Sequence, residues 1–491
     1  VAVHSKGKNR QENASKYLKQ YKKRLKAKII LEDFNGNKCS LPATIRGHGD
    51  LKDHFDLKNG VPISSYRIKL KEGNINHITR FILFLPKSRN FDNEIFISTL
   101  LKQLGFLSPR TFKVKVKINN VESEYILQEN LKKEFLEHNN RVEGPILEAR
   151  EYLSTFNTLS LARISNKEWI KGINQNYNIS INSLRKLNFH RLNGFSFRSK
   201  SLDFKNSEGL AIDEVLRFDK RNLEYKEADK IGTFQAFMYA MDASHGLSYD
   251  DSRFYYDPIY NSIEPIYYDG NTRIMSILNY DSYKGKFVKN LENWKKVKNV
   301  NLDFENFEDK TFEYNLKHQV VSVLAKDNAK KAKDMLNKLN KSELLLKLQN
   351  NGLDYFTAKQ LDQLLKFISA RLVEISNSNV KEILAYEGNI YKNYENKMKN
   401  RLFSLKKMNP KLVFLENLDL KKNVKNIQVK ICDYKLKNCN EQLIDENRFL
   451  DLLEQNNLDD REYFFLSMKK KDYELSNNDK IYSILEDNFK K

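Results

Sequence analysis

The sequence predicts an α+β fold, on three observations. Short segments of alternating apolar and polar residues dominate from about residue 27 to 129, the pattern of half-buried strands. One stretch inside that region, from Phe91 to Gly105, changes period: Ile95, Ser98, Leu101 and Leu104 recur every three residues, as on one helix face. Beyond about Asn301 the composition shifts to Lys, Leu, Asn and Glu at helical spacing, notably over residues 339–348 and 358–375. Cores can be built, since 40% of the 491 residues are hydrophobic, with 30 Phe and 25 Tyr against only 17 Gly and 8 Pro. At roughly 100–200 residues per domain the length suits about two to four domains. Disordered, collagen-like and low-complexity classes are excluded by that composition. The longest apolar runs, such as Phe81-Ile-Leu-Phe-Leu85, fall far short of the ~20 residues that a membrane-spanning helix needs.

In chain order, residues 27–32 read as a strand entering a turn at Phe34-Asn-Gly-Asn37, where Asn and Gly accept positive φ. Residues 41–46, 65–70 and 80–85 come next as further strands. The helix over residues 91–105 has Gly105 where a C-terminal cap belongs. Thr111-Phe-Lys-Val-Lys-Val-Lys-Ile118 and Glu124-Tyr-Ile-Leu-Gln128, joined through Asn119-Asn120, form a hairpin signal. Between residues 144 and 230 the pattern is less regular, with short helices expected at 155–164 and 213–217. A helix over 228–241 leads into a polar loop, succeeded by two strands at 253–257 and 263–269. After the helical stretch, strands are expected at 412–415 and 424–431. No repeat of the solenoid type is present.

Lys and Arg number 85 against 64 Asp and Glu, a formal net charge of +21. Such a balance favours polyanionic partners in general, from nucleotides to acidic glycans. The lysines are mostly interleaved with Asn, Glu and aromatics, which suits a solvated face better than a nucleic-acid patch, so no specific nucleic acid is expected. Three cysteines, Cys39, Cys432 and Cys439, are too few and scattered for a disulfide framework or a zinc site and read as buried or incidental thiols. The opening Val1-Ala-Val-His4 has neither an initiator Met nor a signal-peptide layout and reads as the start of a fragment or processed chain. Cytoplasmic and cell-envelope locations both stay open.

Candidate chemistry gathers in Asp242-Ala-Ser-His245, the loop through Asp250-Asp251, and Ile266-Tyr-Tyr-Asp-Gly270. A helix ends, a polar loop carries His245, Asp250 and Asp251, a strand leaves, and its return strand ends at Asp269. The hairpin would bring Asp251 and Asp269 to the same end. Magnesium takes one or two carboxylates and fills its remaining positions with water and phosphate, so this pair suits a divalent metal. Phosphoryl transfer needs such a metal, a group acting on the acceptor, and cations on the phosphates. Asp-Asp and Asp-Gly are also ordinary turn dipeptides, and a loop histidine is often a surface residue, so the pattern alone leaves both readings open.

Several stretches, taken in order, resemble the CotH kinase-like family, atypical protein kinases named for a bacterial spore-coat protein. They are Arg46-Gly-His-Gly49, Ser65-Tyr-Arg-Ile-Lys69, Arg89-Asn90 through Leu104-Gly105, Val114-Lys-Val-Lys-Ile-Asn119, Tyr125-Ile-Leu-Gln-Glu129, His245-Gly246 through Phe254-Tyr-Tyr256, and Pro265-Ile-Tyr-Tyr-Asp269. They cover about residues 40–150 and 235–275. The resemblance implies a two-lobed kinase-like fold, with a sheet-built N-lobe, a mostly helical C-lobe and the nucleotide between them. Its divisions would be a basic segment 1–26, a kinase-like domain 27–300 with lobes at about 27–145 and 146–300, a helical extension 301–400, and a small α+β unit 401–491.

By the same resemblance Asp269 and Asp251 are the metal ligands, for Mg²⁺ or Mn²⁺, and ATP is the phosphoryl donor. Relatives often carry Asn where this chain has Asp251, a change that adds charge. Asp242 and His245 together are the candidates for the group acting on the acceptor hydroxyl, with Asp250 adjacent and no ranking between them. Arg46, Arg67 and Lys69 resemble the family's basic positions and would grip phosphates, although basic residues on an edge strand also serve to block edge pairing. Glu94 is the candidate partner of such a cation, and Glu129 stands where a hinge would contact adenine. The acceptor would be a protein Ser/Thr hydroxyl or a surface-associated polymer. A non-catalytic surface-assembly protein that kept the fold, binding an acidic polymer, is the alternative.

Overall fold

The structure is a computed structural model and describes residues 22–32, 35–49, 52–58, 60–118, 120–149, 162–171, 173–198, 218, 223–248, 251–278, 321–377, 411–414, 427–433, 438–454 and 463–466. It is α+β, and the chain divides into two compact units: Val1–Arg141 with Asn340–Leu361, and Val142–Leu339 with Asp362–Lys491.

The first unit is built from β1 (Leu25–Glu32), β2 (Lys38–Gly47), β3 (Phe55–Lys58), β4 (Val61–Ser64), β5 (Tyr66–Leu70), β6 (Arg80–Phe84), helix α1 (Asp92–Gln103), β7 (Thr111–Ile118), β8 (Val121–Glu129) and helix α2 (Lys133–His138). Six strands form one curled antiparallel sheet in the order β1-β2-β5-β6-β8-β7, and β3-β4 is a separate hairpin that alternation did not reveal. Period-two alternation puts Ala43, Ile68, Leu70, Phe81, Leu83, Tyr125 and Leu127 into one core. The apolar run of β6 has a physical cause, because this central strand is buried on both faces. Helix α1 serves the other face: it buries Ile95, Phe96, Ile97, Leu100 and Leu101 completely, and Gln128 of β8 donates to its Glu94 at 2.7 Å. Its end agrees with the expectation from sequence. Gly105, at φ +82°, donates to Lys102 O at 3.0 Å, and Phe106 donates to Leu101 O at 3.0 Å, the paired bonds of a Schellman stop.

The second unit contains β9 (Ile146–Ala149), β10 (Ala162–Ile164), helices α3 (Asn174–Arg198) and α4 (Tyr225–Ala240), β11 (Arg253–Asp257) and β12 (Ser262–Ile266). Its antiparallel sheet runs β10-β9-β11-β12. Glu227 ties three elements together: it accepts from Ile263 N of β12 at 2.7 Å, pairs with Lys186 of α3 at 2.6 Å, and sits in the first turn of α4. Helix Val323–Asn337 lies against α4 so closely that a Cβ on Gly232 would meet Leu324 O at 2.5 Å. A further mixed sheet, β15-β14-β13-β16, comprises β13 (Lys411–Phe414), β14 (Ile427–Asp433), β15 (Cys439–Ile444) and β16 (Tyr463–Leu466), with β13 and β16 parallel. Ile427 and Val429 share a core with Leu147, Tyr177 and Phe449.

Two expectations are corrected. Residues 162–164, read as the end of a helix, form β10, held by pairing with β9 (Arg163 opposite Glu148), a long-range contact that no local period records. The rest of that helix, 155–161, and the helix at 213–217 lie outside the described residues. Cys432 and Cys439 are not thiols but a disulfide, because β14 and β15 place them directly opposite each other; Cys39 is free and exposed.

Candidate functional site

The site is assembled where α4 stops. At its end Asp242 takes a left-handed conformation (φ +55°), donating from its backbone to Tyr239 O at 3.2 Å, while Ala243 donates to Met238 O at 2.7 Å. These are again Schellman bonds, and Asp is one of the few non-glycine residues that tolerate this conformation. Asp242 is therefore the turn-making residue of the helix stop. Its side chain is exposed, and its negative charge acts on the buried guanidinium of Arg371.

The chain then makes a short 3₁₀ turn, Ser244–Leu247, that presents His245 with its side chain 42% exposed. Ser248 organises the next few residues. Its Oγ donates to Asp251 Oδ2 at 3.1 Å and accepts from Asp251 N at 3.0 Å, which fixes a buried carboxylate beside the ring. Asp251 Oδ2 lies 3.2 Å from His245 Nε2. From the other side β12 delivers Tyr267, Tyr268 and Asp269, the last at φ +41°.

Glycine allows the two segments to meet. A Cβ on Gly246 would stand 2.5 Å from Tyr268 O, and one on Gly270 would stand 2.9 Å from the Ala243 Cβ. Thr272 locks the return segment to the helix end by donating to Met241 O at 2.6 Å. Beneath it, Arg253 places its guanidinium 4.4 Å from the centre of the Tyr268 ring and pairs with Glu148 at 3.2 Å.

One ligand atom each from His245, Asp251 and Asp269 thus lies within 4.8 Å of the other two. The size of a divalent ion gives this a scale. Neighbouring ligands on an octahedral Mg²⁺ at about 2.1 Å stand about 3 Å apart and opposite ones about 4.2 Å, so sub-ångström adjustment would close the group on an ion. Two carboxylates balance a 2+ charge, and imidazole beside carboxylate is a donor set that also admits Mn²⁺. His245 fits either as a third ligand or as a hydrogen-bonded neighbour of two carboxylate ligands. The exposure of His245 leaves the group open to solvent and to a substrate. Asp250, the other loop carboxylate read from sequence, lies outside the described residues.

The remaining candidates are in the first unit. Arg46 of β2 and Arg67 of β5 are directly opposite in register, on the sheet face away from the apolar core. Lys69 is exposed on that same face. Glu94, buried on α1, accepts from Gln128 at 2.7 Å. The Glu129 carboxylate is buried and clasped by Arg110, whose Nε donates to Oε2 at 2.9 Å and whose Nη2 pairs with Oε1 at 2.5 Å. A carboxylate held by both oxygens braces β8 against the loop before β7 and has little left to offer an adenine.

Two groups not singled out from the sequence join the arginines. Arg89 is buried, with its guanidinium 4.0 Å from the centre of the Phe84 ring, and His48 stands edge-on to Phe84 with ring centres 5.2 Å apart. Burial first, then the charges of Arg67, Arg89, His54 and Arg46, hold His48 well below the usual imidazole range, so it is neutral near pH 7. His48 lay inside the Arg-Gly-His-Gly motif; only the fold brings Arg89, from the turn before α1, beside it.

Compared with known proteins, the chain matches no family model. No curated protein matches it either.

Proposed function

We propose that this protein is a metal-dependent phosphotransferase of the atypical CotH kinase-like type, moving the γ-phosphoryl group of ATP to a hydroxyl acceptor. The observation that carries the reading is the convergence of His245, Asp251 and Asp269 on one point beside the exposed His245 ring, with the two carboxylates supplied from either side of one hairpin. A bound Mg²⁺ or Mn²⁺ would spread the charge of the phosphate oxygens, and Asp251 and Asp269 are the residues to hold it.

Of the two candidates His245 is taken as the base, since its Nε2 lies 3.2 Å from Asp251 and it belongs to the group of three that Asp242 does not join. With Nε2–H donating to Asp251, Nδ1 is left as the acceptor of the hydroxyl proton. In the transfer the acceptor oxygen bonds to phosphorus, the bond from phosphorus to the bridging oxygen breaks, the proton passes to His245, and ADP leaves. Glu129, clasped by Arg110, is given no part.

The test is ATP binding by thermal shift with Mg²⁺ or Mn²⁺, together with γ-phosphate transfer, for the wild type and Asp269→Asn. Metal-dependent stabilisation that the substitution removes is the expected result, because a ligand that binds only the folded state raises its stability. Absence of any shift at millimolar ATP and metal would sink the reading and favour the non-catalytic assembly protein.

A further inference from the structure

The last turn of α1 leaves an amine without a partner. Lys102 is half-buried as a residue, but its Nζ is shut off from solvent and has no hydrogen-bond partner among the described residues. An ammonium group brings three donors and a full charge, so leaving it unpaired in the interior is costly. Its surroundings add to that cost. Lys347 reaches the neighbouring residue, donating to Gln103 Oε1 at 2.6 Å and to Glu343 Oε1 at 2.7 Å, and Arg110 clasps Glu129 by both oxygens. Arg110 turns the rest of its fork to the carbonyls of Asn76 and His77. The charges acting on Lys102 are Glu129, Arg110 and Lys347; His138, exposed at the end of α2, is acted on by Lys102, Arg110 and His77. Glu129 and Glu343 are thus committed to other cations, and neither is bonded to Lys102. Burial lowers the Lys102 pKa to about 8, opposed by Glu129 and helped by Arg110 and Lys347. Near that pH about half of the side chain is free amine, a nucleophile that an ordinary lysine with its pKa near 10.4 barely supplies.

We infer that Lys102 is a carbon dioxide site, where the uncharged amine adds to CO₂ and becomes a carbamate. The Nζ lone pair bonds to carbon, one carbon–oxygen π pair moves onto oxygen, and a proton leaves Nζ for water, so the balance needs no oxidant, reductant or further reactant. Two features select this electrophile. The shielding of Nζ favours a small uncharged molecule over bulky acyl donors, while the half-buried four-carbon stem lets the added atoms swing outward. The product also reverses the sign of the charge: a cation repelled by Arg110 and Lys347 becomes an anion that both attract. Lys347 has made two of the three bonds its ammonium can donate, so a donor remains for the new carboxylate. The inference stands on the first unit, to which Asn340–Leu361 belongs, and is independent of phosphoryl transfer.

The experiment equilibrates the full chain with ¹³C-labelled bicarbonate and CO₂ at pH 8 and traps carbamates as ethyl esters with a trialkyloxonium salt, so that peptide mass spectrometry locates them. Wild type is compared with Lys102→Arg, which keeps the charge but has no amine to add. The amino terminus, an amine that titrates near 8, forms its own carbamate in both chains and calibrates the trapping. The expected result is a carbamate at Lys102 at least ten-fold above that at exposed lysines such as Lys115 and Lys117, with none at that position in Lys102→Arg. NMR titration of His138 is the second readout: with Lys102 turned from cation to anion, the His138 imidazole should titrate at higher pH under CO₂ than without it. No adduct at Lys102 while the amino terminus carries one overturns the proposal. So does an adduct no greater than at the exposed lysines, or one that leaves His138 unmoved, because the group then lies outside the cluster. If Lys102→Arg does not fold, the wild-type peptide map and the His138 titration decide the matter.

Discussion

Gly246→Ala tests whether the close approach of two segments is what builds the proposed metal site. Gly246 is not in the left-handed region, so the cost of the substitution is steric and not conformational. The new Cβ would stand 2.5 Å from Tyr268 O and 2.8 Å from Met238 Cε. The methionine end can swing away, but the carbonyl is backbone. Reaching an ordinary contact of about 3.4 Å means parting the His245 loop from the Tyr268-Asp269 segment by about 0.9 Å. Overpacking of this kind costs about 1–3 kcal/mol. The ligand atoms already stand up to 4.8 Å apart, against about 4.2 Å for opposite ligands on a small divalent ion. Opening the gap by most of a further ångström takes them out of common reach, so Mn²⁺ affinity should fall at least ten-fold, about 1.4 kcal/mol. Gly144→Ala is the control: its Cβ would meet Tyr256 O at 2.6 Å, a similar clash away from the three ligands. Urea unfolding and Mn²⁺ titration of both variants give the answer. Both should be destabilised, and only Gly246→Ala should lose metal. If Gly246→Ala bound Mn²⁺ as the wild type does, the packing argument would be refuted.

Three further outcomes are expected from the packing. Glu129→Gln removes a buried carboxylate from Arg110 and should destabilise the first unit by about 3–5 kcal/mol, read from its urea midpoint; an unchanged midpoint would show that the pair contributes nothing. His138 is pushed down to about 4 by burial, then by Lys102, Arg110 and His77, while the unfolded chain binds the same proton near 6.5. Between those values the unfolded state holds more protons, so stability should fall as pH drops from 6.5 to 4, and His138→Asn should flatten that slope. Cys439→Ser opens a short loop and should cost about 2–2.5 kcal/mol by loop-closure entropy, with Cys39→Ser as a neutral comparison in non-reducing unfolding.

Much of the local structure was written in local patterns. The period change at Phe91, the Gly105 stop and the Val114 to Ile118 alternation each depend on residues a few positions apart, and each element stands where they put it. The pairing of Asp251 with Asp269 was legible for the same reason, since a hairpin brings its two ends together. Asp242 shows the limit of that legibility. Its place before His245 suggested chemistry, and its backbone also makes the left-handed stop of the helix, a φ angle that composition does not display. Glu129 likewise looked available until Arg110, nineteen residues earlier, took both its oxygens.

By itself, the sequence determined the α+β class, most strands of the first sheet, the helix leading to the site and the carboxylates at the ends of one hairpin. All of these rest on short-range periodicity and turn chemistry, which survive in a one-dimensional reading. The tertiary structure alone decided that β10 is a strand, that Cys432 meets Cys439, that Arg89 and His48 join Arg46 and Arg67, and that Gly246 lets His245 approach Asp269. Those facts depend on which elements pack together, and packing is settled by burial and register across the whole chain.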